Sequence, residues 1–141
     1  MLSNEVLMIT RVHHINFLVR DLASATKAFN TLFQQQPVYD SLHAREANTA
    51  RYQLGEVIIV LVSPTSATGT VGQYLEQKGE GVFLVSFGVQ NLEDFWEEYE
   101  SNELVSVASA ARKGLANWQV QDISLKCDLG TVLQICQEKN Q

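Results

Sequence analysis

The chain contains one sequence pattern twice: VHHINFLVRDL at residues 12–22 and VFLVSFGVQNL at residues 82–92. Four of the eleven positions are identical at an offset of seventy residues, where average amino-acid usage gives about one. In each copy an apolar stretch with strand character ends at an Asx residue, Asp21 or Asn91, which is suited to cap a following helix. Internal duplication therefore organises this chain.

The segments around this pattern repeat as well. Apolar residues at helical spacing follow both caps: Leu22, Ala25, Ala28, Phe29, Leu32 and Phe33 after Asp21, and Leu92, Phe95, Trp96 and Tyr99 after Asn91. Three stretches typical of strands come next in each copy, at 37–42, 47–54 and 57–62, and at 104–108, 118–126 and 131–137. The last two strands of each copy are expected to meet in tight hairpins, at Leu54-Gly55 and Leu129-Gly130.

These elements predict one α+β domain over residues 1–141, built from two βαβββ modules in tandem. The modules span about residues 11–63 and 81–138. Residues 64–80 link them and are expected to hold a short helix at 71–78 that ends at Gly79.

Composition excludes several classes of protein. The 141 residues are 45% hydrophobic and 18% charged, with a net charge of −6, so we expect neither nucleic acid nor an anionic membrane as a partner. No apolar stretch approaches the length of a membrane span. The first residues lack the basic and apolar parts of a signal peptide, and the two cysteines form no disulfide framework. We therefore expect a cytoplasmic protein.

The alternation of side chains along the first strand of each module defines two faces of the predicted sheet. Alternate residues of a strand point to opposite sides, so one face carries apolar residues that are expected to pack on the helices: Ile15, Phe17, Val19, Val85, Phe87 and Val89. The opposite face carries His14, Asn16, Leu18, Leu84, Ser86 and Gly88. This uncharged mixture of apolar and small polar groups is typical of a ligand cleft.

The doubled βαβββ pattern, with a histidine in its first strand, resembles the vicinal oxygen chelate superfamily of glyoxalases, extradiol dioxygenases, bleomycin-resistance proteins and methylmalonyl-CoA epimerases. Residues 13–22, HHINFLVRDL, and 74–81, YLEQKGEG, are most similar to the epimerases. The resemblance covers about residues 11–137. It implies the glyoxalase/bleomycin resistance fold, in which both modules form a curved mixed sheet around a concave cleft, and homodimerisation.

The resemblance also implies four positions for metal ligands, which correspond here to His14, Ile59 or Val60, Leu84 and Gln134. Two of the four are apolar, although a catalytic dication needs at least three protein ligands. We therefore expect the protein to have no cofactor. After dialysis against nickel, cobalt, manganese or zinc, it should retain well under one equivalent of metal. His13 is expected to be exposed or interfacial, because only a slip of the strand by one residue would turn it into the cleft.

The candidate ligand-binding residues are His14, Asn16, Tyr52, Val60, Leu84, Ser86, Trp118 and Gln134. For each of the polar members a purely structural hydrogen bond is an open alternative, as is core packing for Tyr52 and Trp118. Four cations could hold an acidic ligand but are interpreted as an ordinary solvated face: Arg45, Arg51, Arg112 and Lys113.

The favoured function is metal-independent binding of a small molecule, similar to the sequestration of a drug by bleomycin-resistance proteins. The uncharged cleft and the net negative charge indicate a neutral or cationic aromatic ligand. The alternative is an enzyme, a divergent metal-dependent epimerase or lyase in which His14 is the acid–base group. A third interpretation is a non-catalytic subunit whose cleft is filled by side chains.

Overall fold

The computed structural model describes residues 7–127 and 129–139. The strands within these residues are β1 (Ile9–Leu18), β2 (Val38–Leu42), β3 (Ala47–Leu54), β4 (Val57–Pro64), β5 (Gly81–Val89), β6 (Val105–Val107), β7 (Arg112–Lys113), β8 (Trp118–Leu125) and β9 (Val132–Glu138). The helices are α1 (Leu22–Phe33), α2 (Thr70–Lys78) and α3 (Leu92–Tyr99), with a 3₁₀ turn at His43–Arg45. Within the described ranges, no helix is long and apolar enough to cross a membrane.

The strands form one mixed sheet in the order β2-β3-β4-β1-β5-β9-β8-β6, and the short β7 pairs with β8. The two repeated strands, β1 and β5, are antiparallel neighbours at its centre, and each has a parallel partner, β4 or β9. His14 pairs with Ser86 and Asn16 pairs with Leu84. At the offset of seventy residues, His14 corresponds to Leu84 and Asn16 to Ser86, so each pair is the repeat equivalent of the other. A pseudo-twofold axis therefore lies between the two pairs. The two βαβββ modules predicted from the sequence are confirmed.

The repeated helices begin at the predicted caps. The Asp21 carboxylate accepts hydrogen bonds from the backbone N–H groups of Ala23 and Ser24, and the Asn91 side chain accepts one from Asp94. Each helix covers the apolar face of its own module, so the predicted parity is correct. The first of these cores contains Ile15, Phe17, Phe29 and Leu61, and the second contains Phe87, Val89, Phe95 and Ile135.

The linker helix α2 packs on the opposite, concave face of the sheet. Val71 and Leu75 join the apolar cluster that contains Val60 and Val62. At Gly72 the helix approaches the preceding loop so closely that a Cβ atom would lie 2.1 Å from the Ser66 carbonyl oxygen. The linker therefore forms part of the wall of the concave face.

The second hairpin differs from the prediction. A two-residue turn with a positive φ at Gly55 joins β3 to β4 as expected, but residues 126–131 separate β8 from β9. The pairing of β8 with β9 ends at Ile123, and β8 continues to Leu125 against β6. Because the strands separate there, the loop is too long for a tight turn at Leu129-Gly130.

Candidate functional site

Two β-bulges shape the centre of the concave face. Between Val12 and His14, β1 has one more residue than the facing segment of β5, and between Leu84 and Val82 the extra residue belongs to β5. The inserted residues are His13 and Phe83, which are equivalent in the repeat. A bulge re-aims the side chains of its strand, and here the second bulge restores the register that the first one shifts by one residue. Each module therefore turns two consecutive side chains into the same buried region.

His13 is the main correction to the sequence analysis. It is 1% exposed rather than at the surface, and the neighbouring His14 is 3% exposed. The two Nδ1 atoms lie 2.8 Å apart. The indole of Trp118 contacts both rings, edge-on to His13 and stacked on His14 with a centroid distance of 4.5 Å. The strand did not need to slip, because the bulge alone accommodates both histidines.

A cavity of about 70 Å³ lies beside this cluster. Six of the predicted site residues line it: His14, Asn16, Val60, Leu84, Trp118 and Gln134. Further apolar walls come from the linker helix through Val71 and from the loop before β8 through Leu115. The volume is below the range of ordinary drug-sized pockets, so this site fits only a small group without rearrangement.

The polar atoms of the cavity include unused acceptors. Asn16 Oδ1 and Gln134 Oε1 are buried and have no hydrogen-bond partner among the described residues. The amide nitrogen Nε2 of Gln134 donates to Asp122 Oδ1 over 3.5 Å, which orients the amide. Since buried acceptors are almost always paired, these two oxygens suit a hydrogen-bond donor on a bound molecule or an ordered water.

Two predicted site residues lie elsewhere. Tyr52 is fully buried on the helix side, where its ring packs on Phe29 and Phe33 and its hydroxyl donates to Asn30 Oδ1. Strand pairing explains the error, because Tyr52 is opposite Ile59, which belongs to the same helix-side core. Ser86 is fully buried beside His14 but is not part of the cavity lining.

The residues present do not fit the dication that the resemblance implies. The four corresponding positions, His14, Val60, Leu84 and Gln134, all line the same cavity, so their alignment is geometrically correct. Val60 rather than Ile59 faces the cavity, but neither side chain has a donor atom. A divalent ion among two hydrocarbon side chains, one imidazole and one amide would lose most of its hydration without replacement. This set of residues therefore cannot hold a catalytic metal.

The electrostatics of His14 also disfavour acid–base chemistry. Burial lowers the pKa of His14 to about 3, with a further contribution from the adjacent His13, and the nearby Gln134 side chain only partly opposes this. Burial lowers the pKa of His13 as well, although the Glu138 carboxylate opposes it. A general base is most effective when its pKa is near the working pH. His14 is thus a neutral hydrogen-bonding group at neutral pH.

The mouth of the cavity is cationic, which corrects the interpretation of a solvated face. Arg45, Arg112 and Lys113 all line it. Arg112 forms an ion pair with Asp122 at 3.2 Å, whereas Arg45 has no carboxylate within ion-pair distance among the described residues. Burial lowers the pKa of Arg45, the like charge of Arg112 adds to this, and Asp122 and Tyr74 partly oppose it. Arg45 is therefore a partly buried cation without a direct ion pair among the described residues.

Comparison with known proteins agrees with this architecture. The methylmalonyl-CoA epimerase of Mycobacterium tuberculosis superposes with a TM-score of 0.85 at 17% identity, covering 99% of this chain and 97% of that one. A variant of the Streptomyces coelicolor methylmalonyl-CoA epimerase in complex with 2-nitronate-propionyl-CoA superposes with a TM-score of 0.83 at 18% identity. The superposition covers 94% of this chain and 99% of that one. The chain has the vicinal oxygen chelate fold.

Two further similar proteins carry no function in their names. Hypothetical protein BH1468 from Bacillus halodurans C-125 superposes with a TM-score of 0.84 at 20% identity, covering 93% of this chain and 96% of that one. The uncharacterized protein YqjC of Bacillus subtilis (strain 168) is 22% identical over 130 residues, which are 92% of this chain and 93% of that protein. No protein-family model matches the chain. The comparisons thus give the vicinal oxygen chelate fold, and the chemistry rests on the residues described above.

Sequence reasoning missed the burial of His13 and the place of Phe83 in the cavity wall. A signal for both was present, because the pairs His13-His14 and Phe83-Leu84 occupy equivalent places in the repeat and both break strict alternation. For Arg45 the sequence offered contact with an acidic ligand only as an open alternative to a solvated face. Arg45 lies in the turn between β2 and β3, and only the packing of the vicinal oxygen chelate fold brings that turn to the cavity.

Proposed function

We propose that this protein binds a small amphipathic carboxylate and sequesters it without metal-dependent turnover. The apolar part of the ligand would lie in the cavity against Val60, Leu84 and Trp118, and its carboxylate would pair with Arg45. This proposal keeps the small-molecule binding and the aromatic ligand expected from the sequence but reverses the expected charge.

The observation that carries the proposal is the unpaired Arg45 at the mouth of an apolar cavity. A half-buried guanidinium has lost part of its hydration, and the neighbouring Arg112 repels it more strongly than Asp122 attracts it. A carboxylate would neutralise Arg45 through a charge-assisted, bidentate hydrogen bond. The net charge of −6 opposes the approach of an anion at long range, but this effect is screened at physiological salt, whereas a direct contact is not.

The cavity volume limits the ligand. About 70 Å³ accommodates a small ring or a short acyl chain rather than a drug-sized molecule. The unpaired oxygens of Asn16 and Gln134 favour a ligand with a hydroxyl or N–H group at its inner end. A hydroxylated aromatic acid combines these features, with a donor at one end and a carboxylate at the other.

A thermal-shift experiment with a matched series tests this proposal. The probes are 4-hydroxyphenylacetate, its neutral amide and the cationic 4-hydroxyphenethylamine, which share one ring and differ in charge. We expect the acid to stabilise the protein, by about 2.7 kcal/mol at 100 times its Kd. Arg45→Gln should weaken binding of the acid at least tenfold. If the amine or the amide stabilised the protein as much as the acid does, this result would contradict the proposal.

The matched control for that variant is Arg51→Gln. Arg51 is also a cation on the neighbouring strand, but it pairs with Asp40 and does not line the cavity. We expect the affinity of this variant for the acid to equal that of the wild type. If both arginine variants weaken binding to the same extent, the effect is due to the overall charge rather than to the cavity.

The second candidate is an enzyme that acts on an acyl thioester, and the structural likeness to methylmalonyl-CoA epimerases favours it. Against it stand the two apolar side chains at the ligand positions and the low pKa of His14. Incubation with methylmalonyl-CoA in D₂O, with and without Co²⁺, distinguishes the candidates. Proton NMR is expected to detect no exchange at the acidic C–H. Exchange that disappears in His14→Gln would establish the enzyme instead.

The location and remaining partners follow from charge and cysteine chemistry. Both cysteines are free thiols, which is the usual state in the cytoplasm. A net charge of −6 opposes binding to nucleic acids and anionic membranes. We therefore place the binding function in the cytoplasm, with a small molecule as the partner.

A further inference from the structure

A second cluster with donor atoms lies beside the cavity. His13, His14 and Cys136 are all buried, and one ligand atom of each, a ring nitrogen or the thiol sulfur, lies within 4.8 Å of the other two. Cys136 comes from β9 and is 1% exposed. Only His14 belongs to the positions that the vicinal oxygen chelate fold uses for metals, so this is a different set of residues.

The two neutral imidazoles have one N–H group too few for the hydrogen bonds that their positions require. Their Nδ1 atoms face each other at 2.8 Å, and acceptors lie on the far sides of the rings. The Glu138 carboxylate is 3.5 Å from His13 Nε2, and the unpaired Gln134 Oε1 lies next to His14. Two neutral rings carry two N–H groups in total. They cannot donate to both acceptors and also fill the Nδ1–Nδ1 contact.

A metal ion bound by both Nδ1 atoms, in place of the proton that they share, would resolve this conflict. Both rings could then carry Nε2–H and donate outward, as metal-bound histidines usually do toward a carboxylate or amide oxygen. A thiolate with two imidazoles is a soft ligand set that selects Cu⁺ or Zn²⁺ rather than Mg²⁺ or Mn²⁺.

Charge balance distinguishes between the two soft ions. Cu⁺ with one thiolate is neutral, which minimises the cost of burial. Zn²⁺ would leave one positive charge, and the nearby Glu138 is already engaged by Arg11 at 3.0 Å. We propose that His13, His14 and Cys136 form a buried three-coordinate site for monovalent copper.

Binding requires the loss of one proton and no change of oxidation state. Cu⁺ replaces the thiol proton of Cys136, and that proton leaves to solvent. The ring that carried Nδ1–H adopts the Nε2–H tautomer, so the proton count of the imidazoles is unchanged. Burial raises the pKa of the Cys136 thiol to about 12, so the affinity is expected to rise as the pH rises.

Anaerobic competition with the Cu⁺ chelator bicinchoninate tests the site. The wild type is expected to withdraw one equivalent of Cu⁺. Cys136→Ser and His13→Gln should each lower the affinity at least tenfold. Matched controls are Cys127→Ser and His43→Gln, since both residues are exposed, and these variants should bind as the wild type does. Failure of the wild type to withdraw copper, or loss of binding in Cys127→Ser, would overturn the site.

X-ray absorption provides a test that does not depend on how the variants fold. Copper-loaded wild type should give one sulfur and two nitrogen scatterers around the metal. A shell of nitrogen and oxygen alone would refute the site. Arg45→Gln should retain copper binding, so failure of this site and failure of the proposed carboxylate binding give separate results.

Discussion

His14 stacks on Trp118 with a ring centroid distance of 4.5 Å and an angle of 17° between the ring planes. The imidazole is thereby covered on one face, while His13 contacts its edge. Because water is excluded from the pair, both histidines are held in the neutral form. The cleft thus derives its hydrogen-bonding chemistry from uncharged imidazoles and its charge from arginines at the mouth.

Stability should fall in mild acid because of these histidines. A histidine with a lowered pKa in the folded state is protonated first in the unfolded chain, so stability is lost as the pH falls below about 6.5. For His14, with a folded-state pKa of about 3, the expected loss between pH 7 and pH 5 is about 2 kcal/mol. Urea unfolding at the two pH values measures it.

His14→Gln should lose that part of the pH dependence, whereas His43→Gln, at an exposed position, should keep it. The Asp21 carboxylate does not interfere in this range. Its hydrogen bonds to Ser24 lower its pKa, so its contribution is lost only below about pH 4. An unchanged slope in His14→Gln would contradict the assignment to this histidine.

Filling the cavity should abolish ligand binding. Leu84 is 5% exposed and lines the cavity, and in Leu84→Phe the larger ring would occupy much of the available volume. We expect the affinity for 4-hydroxyphenylacetate to fall at least tenfold and stability to change by about 1–3 kcal/mol. Isothermal titration calorimetry measures the affinity. Leu133→Phe on the helix side is the control, and equal losses in both variants would argue against this binding site.

The two equivalent caps should contribute similarly to stability. Asp21 and Asn91 each accept backbone hydrogen bonds in the first turn of their helices. Asp21→Ala and Asn91→Ala are each expected to cost about 1 kcal/mol, with the double variant near the sum because the helices lie in different modules. Chemical denaturation measures these changes. A loss of less than a few tenths of a kcal/mol would show that solvent replaces the cap.

We propose a homodimer, as the resemblance to the superfamily implies. Apolar residues at the N-terminus also favour a partner surface: Leu2, Val6, Leu7, Met8 and Ile9. Leu2 and Val6 lie outside the described residues, and Met8 and Ile9 pack on the α3 core of their own chain. Leu7 is 73% exposed, and Val38 and Tyr39 on the edge strand β2 are more than half exposed. Sedimentation should give twice the chain mass, and a species of 15.8 kDa at micromolar concentration would contradict this.

The sequence was sufficient for the fold and for six of the sixteen residues that line the cavity. An offset of seventy residues, two helix caps and strict alternation in Ile15–Val19 and Val85–Val89 are local patterns. They determine which face of each strand is apolar without knowledge of the partner strand. Because the faces follow from parity alone, His14, Asn16 and Leu84 could be assigned to one cleft, and the resemblance added Gln134 to it.

The tertiary structure determined the chemistry of that cleft. A bulge depends on how two strands pair, so the sequence alone did not bring His13 to His14 or Phe83 to Leu84. Tyr52 was misplaced because its face depends on the pairing of β3 with β4. Arg45 reaches the cavity through the turn between β2 and β3, and its lack of an ion pair among the described residues is a property of the packed molecule. Side-chain parity is local, whereas burial and charge pairing arise only when the strands come together.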